Sequence, residues 1–315
     1  MKKVIVFGLV AVLLLGVFAG CVGRQSDLPT IKIGYRGHDA YLPLFVGMDK
    51  GLFEKNGFQV EPIKFESTNQ LMEAMLAGRI DASLGGVNTI LLYTLDNKSP
   101  GNFKIFSLVN ETKEQPVSAL VTKSDAAYLS VQDLQGKKIG THQGSSIKLL
   151  YNVIADQNKL TAQLMQMDQN MILPSLTAGQ LDAGILLEPY VTIGLQKKAI
   201  KVLEPAVFDK YLMTETPLEA SVVSSKWLKE QPELFVALKE ATDEAIDIIN
   251  NNPKSTLVSL SKYTPIDSAT AELLPISHYF KAEEIKPEEL KKFGQKLLEI
   301  GELKKEVDIN QWFIK

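Results

Sequence analysis

Residues 77–82 read Ala-Gly-Arg-Ile-Asp-Ala, and residues 178–183 read Ala-Gly-Gln-Leu-Asp-Ala, an offset of 101. Upstream of each lies a second matched landmark, Lys32-Ile33-Gly34 and Lys138-Ile139-Gly140, at an offset of 106. Around these landmarks one pattern runs twice. Ile31 to Tyr35 reads as a strand, Arg36 to Leu42 as a loop, and Pro43 suits a first helical position ahead of Leu44-Phe45-Val46. Gln59-Val60-Glu61-Pro62-Ile63-Lys64-Phe65 alternates apolar and polar residues, and Pro62 lacks a ladder donor, so this stretch predicts an edge strand. Asn69 to Ala77 predicts a helix with Leu71, Met75 and Leu76 on one side, stopped by Gly78. Ile80 to Leu84 follows as a short buried strand, and Gly85-Gly86-Val87-Asn88-Thr89 as a loop. The second copy gives a strand over 136–141, a loop His142 to Ser146, a helix to about Gln157, and a Gly179 stop before Leu181-Asp182-Ala183. Such alternation means parallel strands joined by right-handed crossovers with helices on both faces. Two copies predict two α/β lobes.

The C-terminal third reads as helical. Pro232 opens a helix to about Asn250 with Leu234, Leu238, Ala241, Ala245 and Ile249 on one face, ended by Asn250-Asn251-Asn252-Pro253. Pro287 opens another with Leu290, Phe293 and Leu297 inward, and His278 falls in a region read as helical and structural. The composition of the 315 residues is globular, with a net charge of −3 and no basic stripe of the kind a nucleic-acid surface needs. A single Cys excludes an internal disulfide and any zinc site built from several thiolates, and a total of three His argues against a His-rich metal site. The sequence carries no G-x-S-x-G elbow, no phosphate-binding G-x-x-x-x-G-K-[ST], no H-E-x-x-H and no EF-hand loop, and nothing in it calls for a cofactor.

Lys2 and Lys3 precede 17 uncharged residues, Val4 to Gly20, which end Phe18-Ala19-Gly20 before Cys21. This is the layout of a secretory signal over 1–20. Phe18-Ala19-Gly20-Cys21 resembles the lipobox of prokaryotic lipoproteins, with Phe18 where Leu is usual, and the resemblance implies lipidation of Cys21. An uncleaved membrane anchor is the other reading of the apolar run. Either way the rest of the chain is expected to be exported and held at a membrane by a polar tether over 21–30.

In open α/β sheets ligands bind beyond the carboxyl ends of the strands. The loops there hold Gly37, His38, Asp39 and Tyr41; Gly86, Asn88 and Thr89; Gly144, Ser145 and Ser146; and Glu188 with Tyr190. Three of these loops lead into helix N-termini, which attract anions through free N–H groups and a partial positive charge. Gly86 and Gly144 would let a ligand approach the backbone. Asn88, Thr89, Ser145 and Ser146 add short donors and acceptors, or cap their helices. Glu188 is either a solvated carboxylate or an acceptor for a ligand amine or ring N–H. Tyr41 and Tyr190 either stack on a flat ligand or pack into the protein. His38, Asp39 and His142 also admit a metal reading.

Ile31 to Gly57 followed by Phe58-Gln59-Val60-Glu61 resembles the opening of the nitrate/sulfonate/taurine-type solute-binding proteins of ABC importers. Leu76-Ala77-Gly78-Arg79-Ile80-Asp81-Ala82 is similar to their L-x-x-G-x-I-D, Leu134 to Gly140 with Gly144-Ser145 to the start of their second lobe, and Leu181-Asp182-Ala183 with Glu188-Pro189-Tyr190 to their acidic-Pro-Tyr corner. The chain departs from the pattern at Gly47, where Ala is usual, and at His38-Asp39. The resemblance implies a two-lobed periplasmic-binding-protein-like fold of type II, each lobe a mainly parallel sheet flanked by helices. It places lobe 1 at 31–111 plus 216–315 and lobe 2 at 112–215, with crossings near Asn110-Glu111-Thr112 and Thr214 to Leu218. It implies a monomer that closes on a small solute and docks on a membrane permease, with no bond chemistry. A sulfonate, taurine or nitrate-like anion suits the helix termini. A heteroaromatic vitamin precursor such as the thiamine pyrimidine suits Tyr41, Tyr190 and Glu188. A metal receptor and a thiamine-pyrimidine-synthase-like enzyme are the alternatives of other classes; the Cys-rich iron motif of that synthase is absent from this sequence.

Overall fold

A computed structural model describes residues 28–314. The leader, most of the tether and Cys21 lie outside the described residues. The strands are β1 (Thr30–Tyr35), β2 (Gln59–Lys64), β3 (Ala82–Asn88), β4 (Phe103–Glu111), β5 (Ser118–Lys123), β6 (Lys138–His142), β7 (Gln163–Met167), β8 (Ala183–Leu187), β9 (Ile200–Pro205), β10 (Thr216–Ser224) and β11 (Tyr279–Lys281). They form a six-stranded sheet in the order β11-β4-β10-β3-β1-β2 and a five-stranded sheet in the order β7-β6-β8-β5-β9. Each sheet with its helices makes one lobe. The chain passes from the first sheet to the second after β4 and returns between β9 and β10.

The repeated residues make the same contacts in both lobes. In the first, Lys32 N donates to Asp81 Oδ2 at 2.8 Å, and Asp81 N donates to Lys32 O at 2.8 Å. In the second, Lys138 N donates to Asp182 Oδ2 and Asp182 N to Lys138 O, both at 2.9 Å. The aspartate closes a reciprocal pair with the neighbouring parallel strand and so fixes the register where the strand begins. The glycine two residues after each lysine leaves room for the apolar residue before that aspartate. A Cβ at Gly34 would lie 2.4 Å from Ile80 Cδ1, and one at Gly140 2.4 Å from Leu181 Cδ1. Gly78 (φ +69°) and Gly179 (φ +73°) end the preceding helices in the left-handed conformation that glycine adopts without cost.

Parallel pairing is confined to three strands of each sheet, β2-β1-β3 and β7-β6-β8. These are the strands of the repeat. The others, β10, β4 and β11 in the first sheet and β5 and β9 in the second, pair antiparallel. They arise from the segments that cross between sheets or follow the return, which the alternation of the repeat does not describe.

Several local expectations shift. β3 starts at Ala82 and continues through Asn88, so Gly85 and Gly86 lie within a strand and not in a loop; both have positive φ, and the pairing with β10 changes register there. In the Thr68–Leu76 helix Met72 and Ala74 join Leu71 and Met75 inside, while Leu76 is 48% exposed. In the Pro232–Asn251 helix Phe235 takes the core position and Leu234 is half-buried. His278 sits in coil before β11, exposed, with its ring edge-on to Phe280. The first lobe's core is closed by Trp312, which packs on Tyr93 and Phe103.

Candidate functional site

The carboxyl ends of the strands in the two sheets face one another, and a cavity of about 90 Å³ lies between them. Three helices begin at its wall. Ser67 precedes the Thr68–Leu76 helix and accepts from Gln70 N at 3.2 Å. Asn88, the last residue of β3, caps the Thr89–Lys98 helix through Leu91 N at 3.4 Å. The Ser145–Gln157 helix of the second lobe starts after Gly144 with no side-chain cap. Ser67, Thr68 and Asn69, then Asn88, then Gly144, Ser145 and Ser146 all line the cavity. A site ringed by helix N-termini presents backbone N–H groups and partial positive charge. The lobes touch directly across it: Ser146 Oγ donates to Asn88 Oδ1 at 2.8 Å.

Arg36 directly follows β1 and is the cation of the lining, held near the wall by a bond from Nη1 to Thr68 Oγ1 at 3.4 Å. His142, the last residue of β6, also lines the cavity. Burial, assisted by the charges of Arg36 and His38, lowers its pKa to about 4, so its ring is neutral at pH 7. Its Nδ1 is buried without a partner. Glu219 of β10 forms part of the floor. Burial raises its pKa; His38 and Arg36 act against that, and Asp39 adds to it. Phe208 and Leu218, from the return crossing, close the apolar side. Cation, neutral imidazole, carboxylate and N–H termini in a small enclosure can hold a solute that carries an anionic head and a donor group. Among the described residues no three His, Cys, Asp or Glu side chains lie together as a metal site.

Of the residues singled out in the sequence, Asn88, His142, Gly144, Ser145 and Ser146 line this cavity. Gly86 and Tyr41 do not. The Tyr41 ring occupies the place a Gly86 side chain would take, 2.1 Å from its Cβ position, and the Tyr41 hydroxyl donates to Gly86 O at 3.0 Å. Tyr41 is 0% exposed, so it packs as core and offers no stacking face. Thr89 is also buried; its hydroxyl donates to the Pro217 and Leu218 carbonyls and ties the helix start to β10. Gly37 lies against Lys64 and Pro265. His38 and Asp39 adjoin the site without lining it: His38 sits edge-on to Tyr41, its Nδ1 is 3.8 Å from Asp39 Oδ1, and its Nε2 is buried without a partner. Glu188 is buried, not solvated, and accepts from Thr192 N at 3.1 Å within its own lobe. Burial raises its pKa to about 7, with Asp39 adding to the shift. Tyr190 packs against the smaller apolar cluster of the second lobe.

Arg36, Thr68, Asn69, Glu219 and Phe208 were not among the sequence candidates. A signal for Arg36 existed: the offset of 106 that pairs Gly34 with Gly140 also pairs Arg36 with His142. Glu219 and Phe208 lie on the return crossing, outside both copies of the repeat, where no pattern in the sequence marks them.

A family model described as the NMT1-like family matches residues 24–259. A putative aliphatic sulfonates-binding protein of Bacillus subtilis is 27% identical over 271 residues, covering 79% of this chain and 78% of its own length. A 4-amino-5-hydroxymethyl-2-methylpyrimidine phosphate synthase of Uromyces fabae is 21% identical over 253 residues, covering 76% of this chain and 72% of its own. Among solved structures, the alkanesulfonate-binding protein of Xanthomonas axonopodis bound to MOPS superposes with a TM-score of 0.71 at 16% identity, over 90% of this chain and 98% of that one. Among the described residues no helix is long and apolar enough to cross a membrane.

Proposed function

The chain belongs to the NMT1-like family, and from that premise we propose that it is the substrate-binding component of an ABC importer, capturing a small solute between its lobes for delivery to a membrane permease. The observation that carries this reading is the cavity between the two sheets, walled by Arg36 and by three helix N-termini drawn from both lobes. Closure of such lobes traps the solute. The mechanism is binding and release; relatives named as binding proteins support it, while the pyrimidine synthase relative keeps an enzyme arm in the test.

The solute of best fit has a sulfonate-like head and an amine. Arg36 and the uncapped start of the Ser145–Gln157 helix receive the anion. Glu219 on the floor receives the amine, and the nearby Asp39 puts a second negative group beside it. A flat pyrimidine is less well served, because Tyr41 is buried in the core. We further infer export by residues 1–20 and anchoring through a lipidated Cys21; the mass of the mature protein checks both.

The deciding experiment is calorimetry and thermal shift with taurine, ethanesulfonate, nitrate, a thiamine pyrimidine and Zn²⁺. A ligand at 100 times its dissociation constant stabilises the fold by about 2.7 kcal/mol. Taurine is expected to bind more tightly than ethanesulfonate, and Arg36→Ala to weaken both by about 10-fold or more through loss of a charge-assisted hydrogen bond. Binding unaffected by Arg36→Ala, or conversion of any of these compounds to product, would overturn the reading.

A further inference from the structure

Glu111 is the last residue of β4, where the chain leaves the first sheet, and it is 0% exposed. Its carboxylate binds both crossings at once. Oε1 accepts from Val117 N at 2.9 Å and from Ser118 Oγ at 2.6 Å, where β5 begins. Oε2 accepts from Phe208 N at 2.9 Å and Asp209 N at 3.2 Å, on the return after β9. Ser118 Oγ in turn accepts from Val207 N at 3.0 Å, and Ser118 O from Ala206 N at 2.7 Å. Thr216, which pairs with Glu111 across the β4–β10 ladder, donates from Oγ1 to Phe208 O at 3.0 Å. Among the described residues no Lys, Arg or His forms an ion pair with Glu111.

A buried carboxylate without a counterion is costly unless hydrogen bonds replace its water; burial raises the Glu111 pKa to about 7, and the four donors act against that rise. An apolar residue in its place would leave those donors buried and unpaired; the carboxylate gathers them on one rigid planar acceptor, which sets the relative position of two chain segments. Phe208 also lines the ligand cavity. The residue whose amide Glu111 holds thus forms part of the wall against which the proposed solute would sit.

We propose that Glu111 is a positioning residue that locks the two inter-lobe crossings to each other and, through Phe208, couples occupation of the cavity to the angle between the lobes. The coupling half of this rests on the receptor reading above; the lock does not. A ligand that moves Phe208 must move or strain the Phe208 and Asp209 amides on Oε2, and the same carboxylate then carries that change to Val117 and Ser118.

Amide hydrogen exchange on the full mature chain without ligand tests the lock. In Glu111→Gln the replaced oxygen can no longer accept, and in Ser118→Ala one donor is lost. Exchange is expected to rise at least 10-fold in Glu111→Gln at the amides that lose their acceptor, Val117 on one side or Phe208 and Asp209 on the other, and less in Ser118→Ala, with β1, β3, β6 and β8 unchanged. No change at those amides, or an equal rise throughout both sheets, would overturn the proposal, the second by showing a merely structural role. Small-angle scattering and calorimetry with taurine and ethanesulfonate test the coupling. Wild type should contract on binding; Glu111→Gln should bind at least 10-fold more weakly and contract less; Arg36→Ala should lose binding while keeping the three amides protected. Wild-type contraction and affinity in Glu111→Gln would refute the coupling. Failure of wild type to bind either probe would refute the sulfonate assignment on which the coupling is tested, and the exchange data alone would then decide the lock.

Discussion

The two lobes begin their sheets alike and end them differently. Both start with the reciprocal aspartate pairing and the glycine that admits Ile80 or Leu181. Beyond it, the offset of 101 aligns Ser83-Leu84-Gly85-Gly86-Val87-Asn88 with Gly184-Ile185-Leu186-Leu187-Glu188-Pro189. β8 ends at Leu187, leaving Glu188 outside the strand, where it accepts from Thr192 N in the Tyr190–Gln196 helix. β3 instead takes a bulge at Gly85-Gly86, seats Tyr41 on it, and carries Asn88 on to the cavity. The difference teaches that the repeat secures the register where the strands start, while the glycines of one copy decide which residue reaches the cavity.

Removing the glycine bulge is expected to have the largest effect. A Cβ at Gly85 would lie 2.0 Å from the Ala40 carbonyl oxygen, a backbone atom, at φ +83°. Overpacking against backbone adds to the strain of a left-handed residue, so Gly85→Ala should cost more than about 3 kcal/mol or abolish soluble yield. At the paired site, Leu186→Ala opens a hole in a buried strand and should cost about 2–3 kcal/mol. Denaturant melts of the two variants measure the gap. If Gly85→Ala is the milder change, β3 has room to be regular and the contrast between the lobes fails.

Next come the shared glycines. At Gly34 a Cβ meets Ile80 Cδ1 at 2.4 Å with Leu71 Cγ and Phe65 Cε2 at 3.1 and 3.3 Å behind it. At Gly140 it meets Leu181 Cδ1 at 2.4 Å with Ile172 Cγ2 at 3.3 Å. The first pocket is closed on more sides, so Gly34→Ala should cost about 2–3 kcal/mol and Gly140→Ala about 1 kcal/mol. Equal melting temperatures would mean that the two packings yield alike.

These contrasts also explain what can be read in the sequence. Strand, helix and stop positions of the repeat follow from local chemistry: Pro62 on an edge strand, Gly78 and Gly179 at helix ends, apolar residues at helical spacing. Asn88 and Gly144-Ser145-Ser146 are legible because a strand-to-helix turn at a sheet's carboxyl end is defined by its neighbours in the chain. Tyr41 is not, because whether an aromatic ring beside a cleft faces solute or core depends on a partner 45 residues away, Gly86. Glu219 is invisible for the same reason, and Glu111, though it falls at an expected crossing, gives no sign in the sequence of the donors it meets. Their surroundings come from crossings between sheets, and the antiparallel strands those crossings build obey no repeat.

The smallest expected effect concerns the aspartates, Asp81 and Asp182, at the matched strand starts. Both accept from a strand N–H, yet their environments differ. Asp81 has its pKa raised by burial, with Lys32 opposing through its N–H and charge and Glu61 adding to the rise. At Asp182 burial also acts upward, but the Lys138 N–H, the Tyr128 hydroxyl at 2.8 Å, Lys137 and Lys138 together bring the pKa below its usual value. The signs of their pH dependence are therefore opposite. Asp182 contributes stability above its unfolded pKa, lost as pH falls through the lower folded value. Asp81 favours the fold while protonated, and that contribution is lost as pH rises through its raised folded value. Asp182→Asn should accordingly flatten the acid limb of the stability curve, whereas Asp81→Asn should remove a small loss of stability on the rise from acid toward neutral pH. Tyr128→Phe tests the cause at a cost of about 1 kcal/mol or less, since it deletes one hydrogen bond to a group that keeps its strand N–H. In that variant the Asp182 carboxyl, followed by NMR titration, should move up toward the behaviour of Asp81. A titration that stays where it was would assign the difference between the two aspartates to Lys137 and Lys138, and a double substitution of those lysines would then be the change that makes the two lobes alike.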